Sequence, residues 1–75
     1  MQSFGDRVRI LRDKQEWTQE QLSEQSNITA KYISDIETGK RPAAKLTVGT
    51  VERLASALDI HPRDLLYPAS QLEEV

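Results

Sequence analysis

Cysteine is absent from the sequence, which excludes a disulfide scaffold and a thiolate metal site and favours a reducing compartment. Histidine occurs once, at His61, without a second histidine or cysteine nearby to complete a metal site. No apolar run approaches the roughly 20 residues that cross a bilayer, and the N-terminal segment lacks the apolar stretch of a signal peptide. A glycine-rich phosphate loop and a catalytic base-nucleophile pattern are also missing. We therefore expect a soluble, cytoplasmic protein that is not an enzyme and uses neither a metal nor another cofactor.

The chain has 75 residues, which suffice for one small domain. A domain of this size hides only about 60% of the surface that its unfolded chain exposes, so we expect marginal stability. Since neither a disulfide nor a metal reinforces it, self-association is the remaining source of support. The length and composition therefore favour a homodimer.

The overall charge and its distribution point in opposite directions. The net charge of −2 argues against a nucleic-acid partner, because lysine and arginine supply most of the affinity for phosphates. Between positions 40 and 53, however, four cations stand against one acid. The cations are Lys40, Arg41, Lys45 and Arg53. This clustering predicts a polarised molecule with one basic face.

Apolar residues recur at helical spacing along the chain, and no segment has the pattern of a strand. Phe4, Val8 and Leu11 form the apolar stripe of the first helix. Capping residues and helix stops divide the remainder, with His61 before Pro62 as the expected cap of the last helix. The predicted helices cover residues 3–14, 19–26, 30–38, 48–59 and 62–67.

Only three residues, Asn27-Ile28-Thr29, separate the second and third predicted helices. A connection this short sets two helices at a steep angle instead of packing them antiparallel. We expect Asn27 to take a positive φ, which asparagine tolerates best after glycine. Thr29 is expected to cap the third helix. The break therefore predicts a helix-turn-helix corner.

The third predicted helix has an apolar and a polar side. Ile33 and Ile36 point one way, and the opposite side carries Ala30, Lys31, Ser34, Asp35 and Thr38. Short or bifunctional groups at the helix start, followed by Gly39-Lys40-Arg41, suit a helix whose first turns enter a major groove while the next residues hold phosphates.

The stretch TQEQLSEQSNITAKYISDIETGKR, residues 18–41, closely resembles the helix-turn-helix core of phage-repressor-like (XRE-type) DNA-binding domains, a family that includes small restriction-modification controller proteins. The resemblance extends to RVRILRDK upstream and TVERLASALDIHPRDLL downstream, so it covers nearly the whole chain. It implies an all-α, compact, five-helix lambda-repressor-like domain. We expect residues 1–67 to form this domain and the tail, 68–75, to contribute to a dimer contact.

Together with the helix projection, the resemblance implies three groups of site residues. The residues expected to read base edges are Ala30, Lys31, Tyr32, Ser34 and Asp35. Those expected to contact phosphates are Gln19, Thr29, Thr38, Lys40, Arg41 and Lys45. Arg12 and Glu37 match a family ion pair that ties the first helix to the third. The chain departs from the family pattern in having about three more residues than usual between Gly39 and Val51.

Several residues keep two interpretations. Asp35 can accept a hydrogen bond from a cytosine amine, or it can pair with Lys31 four residues earlier. Tyr32 can pack half-buried against the second helix, or it can offer its hydroxyl to a phosphate. Trp17 is either a core residue or a stacking platform. The surplus of apolar groups near the C-terminus suggests a two-fold contact, with Ile10, Leu65, Leu66, Tyr67, Leu72 and Val75 as candidates.

The sequence thus predicts a dimeric regulator of transcription that binds double-stranded DNA at a pseudo-palindrome, with half-sites about 10 bp apart. Two other functions stay open. One is an antitoxin whose toxin-binding surface lies in residues 68–75. The other is a protein-interaction module that does not bind DNA, which the acidic net charge favours.

Overall fold

Side-chain caps mark the beginning of every α-helix in the computed structural model, which describes residues 3–67. Within that range the chain forms five α-helices: α1 (Phe4–Lys14), α2 (Gln19–Ser26), α3 (Ala30–Thr38), α4 (Val48–Ala57) and α5 (Pro62–Leu66). Each N-cap side chain accepts a hydrogen bond from a backbone amide of its own first turn; the caps are Ser3, Thr18, Thr29, Thr47 and His61. The predicted all-α, five-helix fold is confirmed. The caps decide where each of these helices begins.

Two capping boxes reinforce the first two helices. The hydroxyl of Thr18 accepts from the Gln21 amide at 3.1 Å, and the Gln21 side chain accepts from the Thr18 amide at 2.8 Å. Ser3 and Asp6 make the same reciprocal pair at the start of α1. The hydrogen bonds donated by Ser3 lower the pKa of the Asp6 carboxyl. A carboxylate in the first turn also complements the positive end of the helix dipole.

A left-handed residue closes α2 at Asn27, as predicted, and another closes α3 at Gly39. Asn27 has φ 59°, and its amide donates to the carbonyl of Ser23 at 2.9 Å. Gly39 has φ 88° and follows the last residue of α3. Helix α4 ends at Ala57, before the predicted end near Asp59, because Asp59 itself turns to φ 58°.

A short 3-10 helix, Ala43–Lys45, occupies the segment where the chain has extra residues relative to the family pattern. Pro42 precedes it, and the Leu46 amide donates to the carbonyl of Ala43 at 3.0 Å. Ala43 and Leu46 pack against the core, whereas Ala44 and Lys45 are exposed. The periodicity did not predict this turn, but its packing explains how the extra residues are accommodated without breaking the core.

Only one side of helix α3 faces the core of the helix bundle. It packs against α1 and α2, while α4 packs against α2 and α5, and α5 returns to α1. The buried apolar residues come from all five helices, the turn before α3 and the residue that follows α4: Phe4, Val8, Leu22, Ile28, Ile33, Ile36, Val51, Leu54, Ala55, Leu58 and Leu65. A Cβ atom on Gly5 would overlap the carbonyl oxygen of Ile36, so the backbones of α1 and α3 are in direct contact.

Arg7 fixes α5 against α1. Its Nε donates to the carbonyl of Leu65 at 2.7 Å, and an Nη donates to the carbonyl of Leu66 at 2.8 Å. Burial lowers the pKa of Arg7. An arginine guanidinium nevertheless stays charged in a folded protein. A cation at the last carbonyls of a helix also complements the helix dipole.

The apolar residues considered for a two-fold contact differ in their burial. Leu65 is fully buried, so it belongs to the core of the domain. Tyr67 is 55% exposed, and Ile10 is half-buried. Leu72, Val75 and the rest of the tail, 68–75, lie outside the described residues, as does the toxin-binding surface of the antitoxin alternative. Across the described range, the structure has no helix that is both long and apolar enough to cross a membrane.

Candidate nucleic-acid interface

The outer face of α3 is polar and accessible. The Lys31 side chain is 84% exposed, and Thr29 and Thr38 are exposed at the two ends of the helix. Ala30, Tyr32, Ser34 and Asp35, also expected to read base edges, are half-buried. Because Ile33 and Ile36 are buried on the opposite side, the helix is fixed in rotation with Lys31 outward.

Lys31 and Asp35 form an ion pair along this outer face. The Nζ of Lys31 lies 3.8 Å from a carboxylate oxygen of Asp35, and the Asp35 side chain is 22% exposed. An exposed pair at this helical spacing contributes about 0.3–0.5 kcal/mol. In this arrangement the two opposite charges lie near each other without a hydrogen bond, as in the second of the two interpretations of Asp35. A base edge that binds Lys31 must therefore compete with Asp35.

Arg41 lies over the aromatic ring of Tyr32. The guanidinium carbon is 4.6 Å from the ring centroid, a distance typical of a cation-π contact. The Arg41 amide donates to the carbonyl of Asp35 at 3.0 Å, and the Thr38 hydroxyl donates to the same carbonyl at 3.3 Å. The chain after α3 is therefore folded back along the helix. Tyr32 is half-buried and packs against the core.

Glu37 connects three helices through one carboxylate. Arg12 on α1 donates to it twice, from Nε at 2.8 Å and from Nη2 at 2.9 Å. Gln19 on α2 donates to it from Nε2 at 3.1 Å. The Glu37 side chain is only 5% exposed, and the hydrogen bond that Arg12 donates to Glu37 raises the pKa of Arg12. The ion pair that the resemblance implied is thus one part of a larger cluster, and a bidentate geometry of this kind is rigid.

The cluster also orients the side chain of Gln19. One Nε2 hydrogen points to Glu37, so the amide cannot rotate freely, and its second hydrogen stays available to another acceptor. Arg12 in turn donates to the carbonyl of Trp17 at 2.7 Å, two residues before Gln19. Trp17 is half-buried against the core, in agreement with its interpretation as a core residue.

Lys40 and Lys45 extend from the segment between α3 and α4. Both residues are exposed, and within residues 3–67 neither has a carboxylate in salt-bridge distance. Arg53, the fourth cation of the same stretch, belongs to α4. It lines a shallow polar groove between α2 and α4 together with Glu52, Gln25, Ser26, Gly49 and Ser56. Lys40, Arg41 and Lys45 are not among the residues that line this groove.

Two contacts in this region were not predicted from the sequence: Gln19 with Glu37, and Arg41 with Tyr32. Both link residues on different elements, and their geometry depends on the angles between those elements. The available signal was chemical, since arginine stacks on aromatic rings more often than lysine does.

Comparison with known proteins gives consistent matches. Residues 3–66 match the family model described as a helix-turn-helix domain. The HTH-type transcriptional repressor RghR of Bacillus subtilis is 43% identical over the whole chain, although the chain spans only 54% of that repressor's length. The crystal structure of the restriction-modification controller protein C.AhdI from Aeromonas hydrophila superposes with a TM-score of 0.76 at 36% identity, covering 84% of this chain and 91% of that one.

A second solved structure includes DNA. The P22 c2 repressor protein, in complex with a synthetic operator, superposes with a TM-score of 0.78 at 26% identity. The match covers 88% of this chain and 96% of that chain. This chain thus resembles these proteins both in amino-acid sequence and in the arrangement of its helices.

Proposed function

The chain belongs to the phage-repressor-like helix-turn-helix family, and from this premise we propose that it is a cytoplasmic regulator of transcription that binds double-stranded DNA sequence-specifically. It binds as a homodimer to a pseudo-palindrome and inserts α3 into the major groove of each half-site. It acts without a cofactor, without enzymatic activity and without a membrane partner. The family's relatives, named as repressors and controllers, support this function.

The observation that carries the proposal is the rotation of α3. Its isoleucines are buried, while the Lys31 side chain, in the first turn, is 84% exposed on the outer face. A major groove about 12 Å wide accepts a helix presented in this way. Gln19, held by Glu37, and the cations after α3 flank the same helix and suit the two phosphate ridges of the groove.

Each group of residues has a separate role in the proposed complex. Base edges are read by Ala30, Lys31, Tyr32, Ser34 and Asp35. Phosphates are held by Gln19, Thr29, Thr38, Lys40, Arg41 and Lys45. Arg12 and Glu37 do not touch DNA in this proposal; they hold α1, α2 and α3 at fixed angles, so that both groups meet one duplex.

The dimer is proposed from the limits of a single domain. One module of this kind buries only about 600–1,000 Å² on DNA, so two are needed for tight binding to an operator. The domain covers residues 1–67, and the contact between copies involves exposed Tyr67 and the tail, 68–75. Two-fold symmetry then places the half-sites about 10 bp apart.

The first test separates this function from an interaction module that does not bind DNA. Wild-type protein should retard random duplex DNA at about 50 mM salt and lose this binding by about 200 mM. Selection from a random duplex pool should then recover a pseudo-palindrome, and sedimentation should give a dimer. Absence of any retardation at low salt would contradict DNA binding.

Three single-charge variants test the roles. Lys40→Ala should weaken binding to all duplexes alike and lower the salt slope by about one unit, because it removes a phosphate contact. Lys31→Ala should change which sequences are preferred. Arg63→Ala removes the same charge from an exposed position on α5 and serves as the matched control. Its affinity for DNA should stay within about twofold of wild type. Equal losses for all three variants would contradict the assignment.

A further inference from the structure

We infer that Arg41 positions Tyr32, and that Arg41 thereby sets base preference in addition to holding a phosphate. This inference rests on the proposed DNA-binding function and deepens it. It differs from the simpler assignment of Arg41, in which the residue contributes charge alone and weakens binding to every sequence equally when it is removed.

The first step is the geometry around the Tyr32 ring. Tyr32 is the third residue of α3, close to the end that enters the groove, and its half-buried ring packs against the core. The Arg41 guanidinium lies on the ring, 4.6 Å from its centroid. The ring is thus held between the core and a planar cation. Its hydroxyl has fewer accessible directions than an exposed tyrosine would have.

The second step is the attachment of Arg41 itself. Its backbone amide donates to the carbonyl of Asp35 at 3.0 Å, and Gly39 turns the chain with φ 88° just before it. The base of the Arg41 side chain is therefore tied to the middle of α3. Lys40, the adjacent cation, has no ring contact within residues 3–67, which makes it a natural comparison.

The third step is the chemistry of a guanidinium. Stacking uses its flat face, whereas its N–H donors point outward in the plane of the group. Arg41 can therefore stack on Tyr32 and donate to a phosphate at the same time. When it does both, the position of the DNA backbone and the orientation of the Tyr32 ring become coupled. A compact lysine ammonium at this position carries the same charge but lacks the planar, outward-pointing donors.

The geometry is tested first in the free protein by NMR. Protons of the Arg41 side chain should be shifted upfield by the ring current of Tyr32. This shift should disappear in Tyr32→Leu, which keeps an apolar side chain against the core. Arg41 shifts that are the same with and without the ring would overturn the stacking, independently of any result with DNA.

The role in base preference is tested with Arg41→Lys, which keeps the charge. Affinities are measured for the selected operator and for its single-base-pair variants beneath the first turns of α3. The ratio between operator and variants should fall about two- to fivefold, comparable in size with one exposed cation-π contact, because a lysine ammonium cannot lie flat on the ring and donate in its own plane at the same time. In the Tyr32→Leu background, Arg41→Lys should leave the ratio unchanged. Lys40→Arg makes the reverse replacement, of a lysine by an arginine, at a neighbouring position without a ring contact. It should leave the ratio between operator and variants unchanged in both backgrounds.

The outcomes separate this inference from the function on which it rests. If wild type selects no sequence from a random pool, the proposed function fails and the inference fails with it. If wild type selects an operator but Arg41→Lys has the same base preference, only the positioning role is overturned. An equal effect of Arg41→Lys with and without the Tyr32 ring also overturns it, since the effect would then not pass through the ring.

Discussion

The inner and outer faces of α3 differ in what determines them. On the inner face, Ile33 and Ile36 are buried, and Gly5 of α1 touches the Ile36 carbonyl without room for a methyl group. On the outer face, Lys31 is 84% exposed and its ion pair with Asp35 is loose, at 3.8 Å. One helix thus carries a face whose shape is set by packing and a face whose chemistry is free to vary. Substitutions should separate stability from recognition accordingly.

Glu37 lies at the boundary between the two faces and links them. Its carboxylate accepts from Arg12 and from Gln19, so the same group that fixes the packing of α1 on α3 also orients a proposed phosphate ligand. A buried charge of this kind is costly unless it is fully paired. The separation of the two faces therefore has one expected exception, at this cluster.

The largest effect is expected from Ile33→Ala on the inner face. Ile33 is fully buried, and removing its side chain leaves a cavity, so the free energy of unfolding should fall by about 2–5 kcal/mol. Urea denaturation gives this value. Glu24→Ala, on the exposed side of α2, is the control and should change it by no more than about 0.5 kcal/mol. A loss below about 1 kcal/mol for Ile33→Ala would mean that the inner face does not set stability.

Gly5→Ala tests the contact between α1 and α3. The new Cβ would overlap the Ile36 carbonyl, which is backbone and cannot turn away, so the helices must separate at a cost of about 1–3 kcal/mol. Gly49→Ala is the matched control, because the nearest atom to its new Cβ is the Thr47 hydroxyl at 3.9 Å. That change should stabilise the protein by about 0.5 kcal/mol. Thermal denaturation of both variants shows whether the signs are opposite.

Asn27 tests the turn that presents α3. Its φ of 59° is unfavourable for residues with a Cβ, and asparagine tolerates it better than alanine does. Asn27→Ala should lower the free energy of unfolding by about 1 kcal/mol, while Asn27→Gly should stay within about 0.5 kcal/mol of wild type. Equal effects of alanine and glycine in chemical denaturation would show that the left-handed turn is not a constraint.

The predictable part of this molecule is local in sequence. The Thr18 and Thr29 caps, the left-handed turns at Asn27 and Gly39 and the inward isoleucines all follow from patterns within a few residues. The family resemblance supplied the Arg12–Glu37 pairing, which joins residues 25 positions apart and which periodicity alone does not indicate.

The part that was not predicted depends on how elements meet. The Gln19 hydrogen bond to Glu37 requires the angle between α2 and α3, and the stacking of Arg41 on Tyr32 requires the path of the chain after Gly39. The 3-10 helix, Ala43–Lys45, is held by packing of Ala43 and Leu46 on the core. None of these contacts leaves a periodic signal, because each is fixed by tertiary packing.

The smallest effect on stability, and the sharpest contrast with Ile33, is expected from Lys31→Ala on the outer face. It removes only the ion pair with Asp35, so the free energy of unfolding should change by no more than about 0.5 kcal/mol. Base preference should nevertheless change, because Lys31 is a proposed reader of base edges. Asp35→Asn provides the comparison: it keeps the lysine, frees it from its partner and should strengthen binding to random duplexes. If Lys31→Ala instead destabilises the fold as much as Gly5→Ala does, the two faces of α3 are not separable.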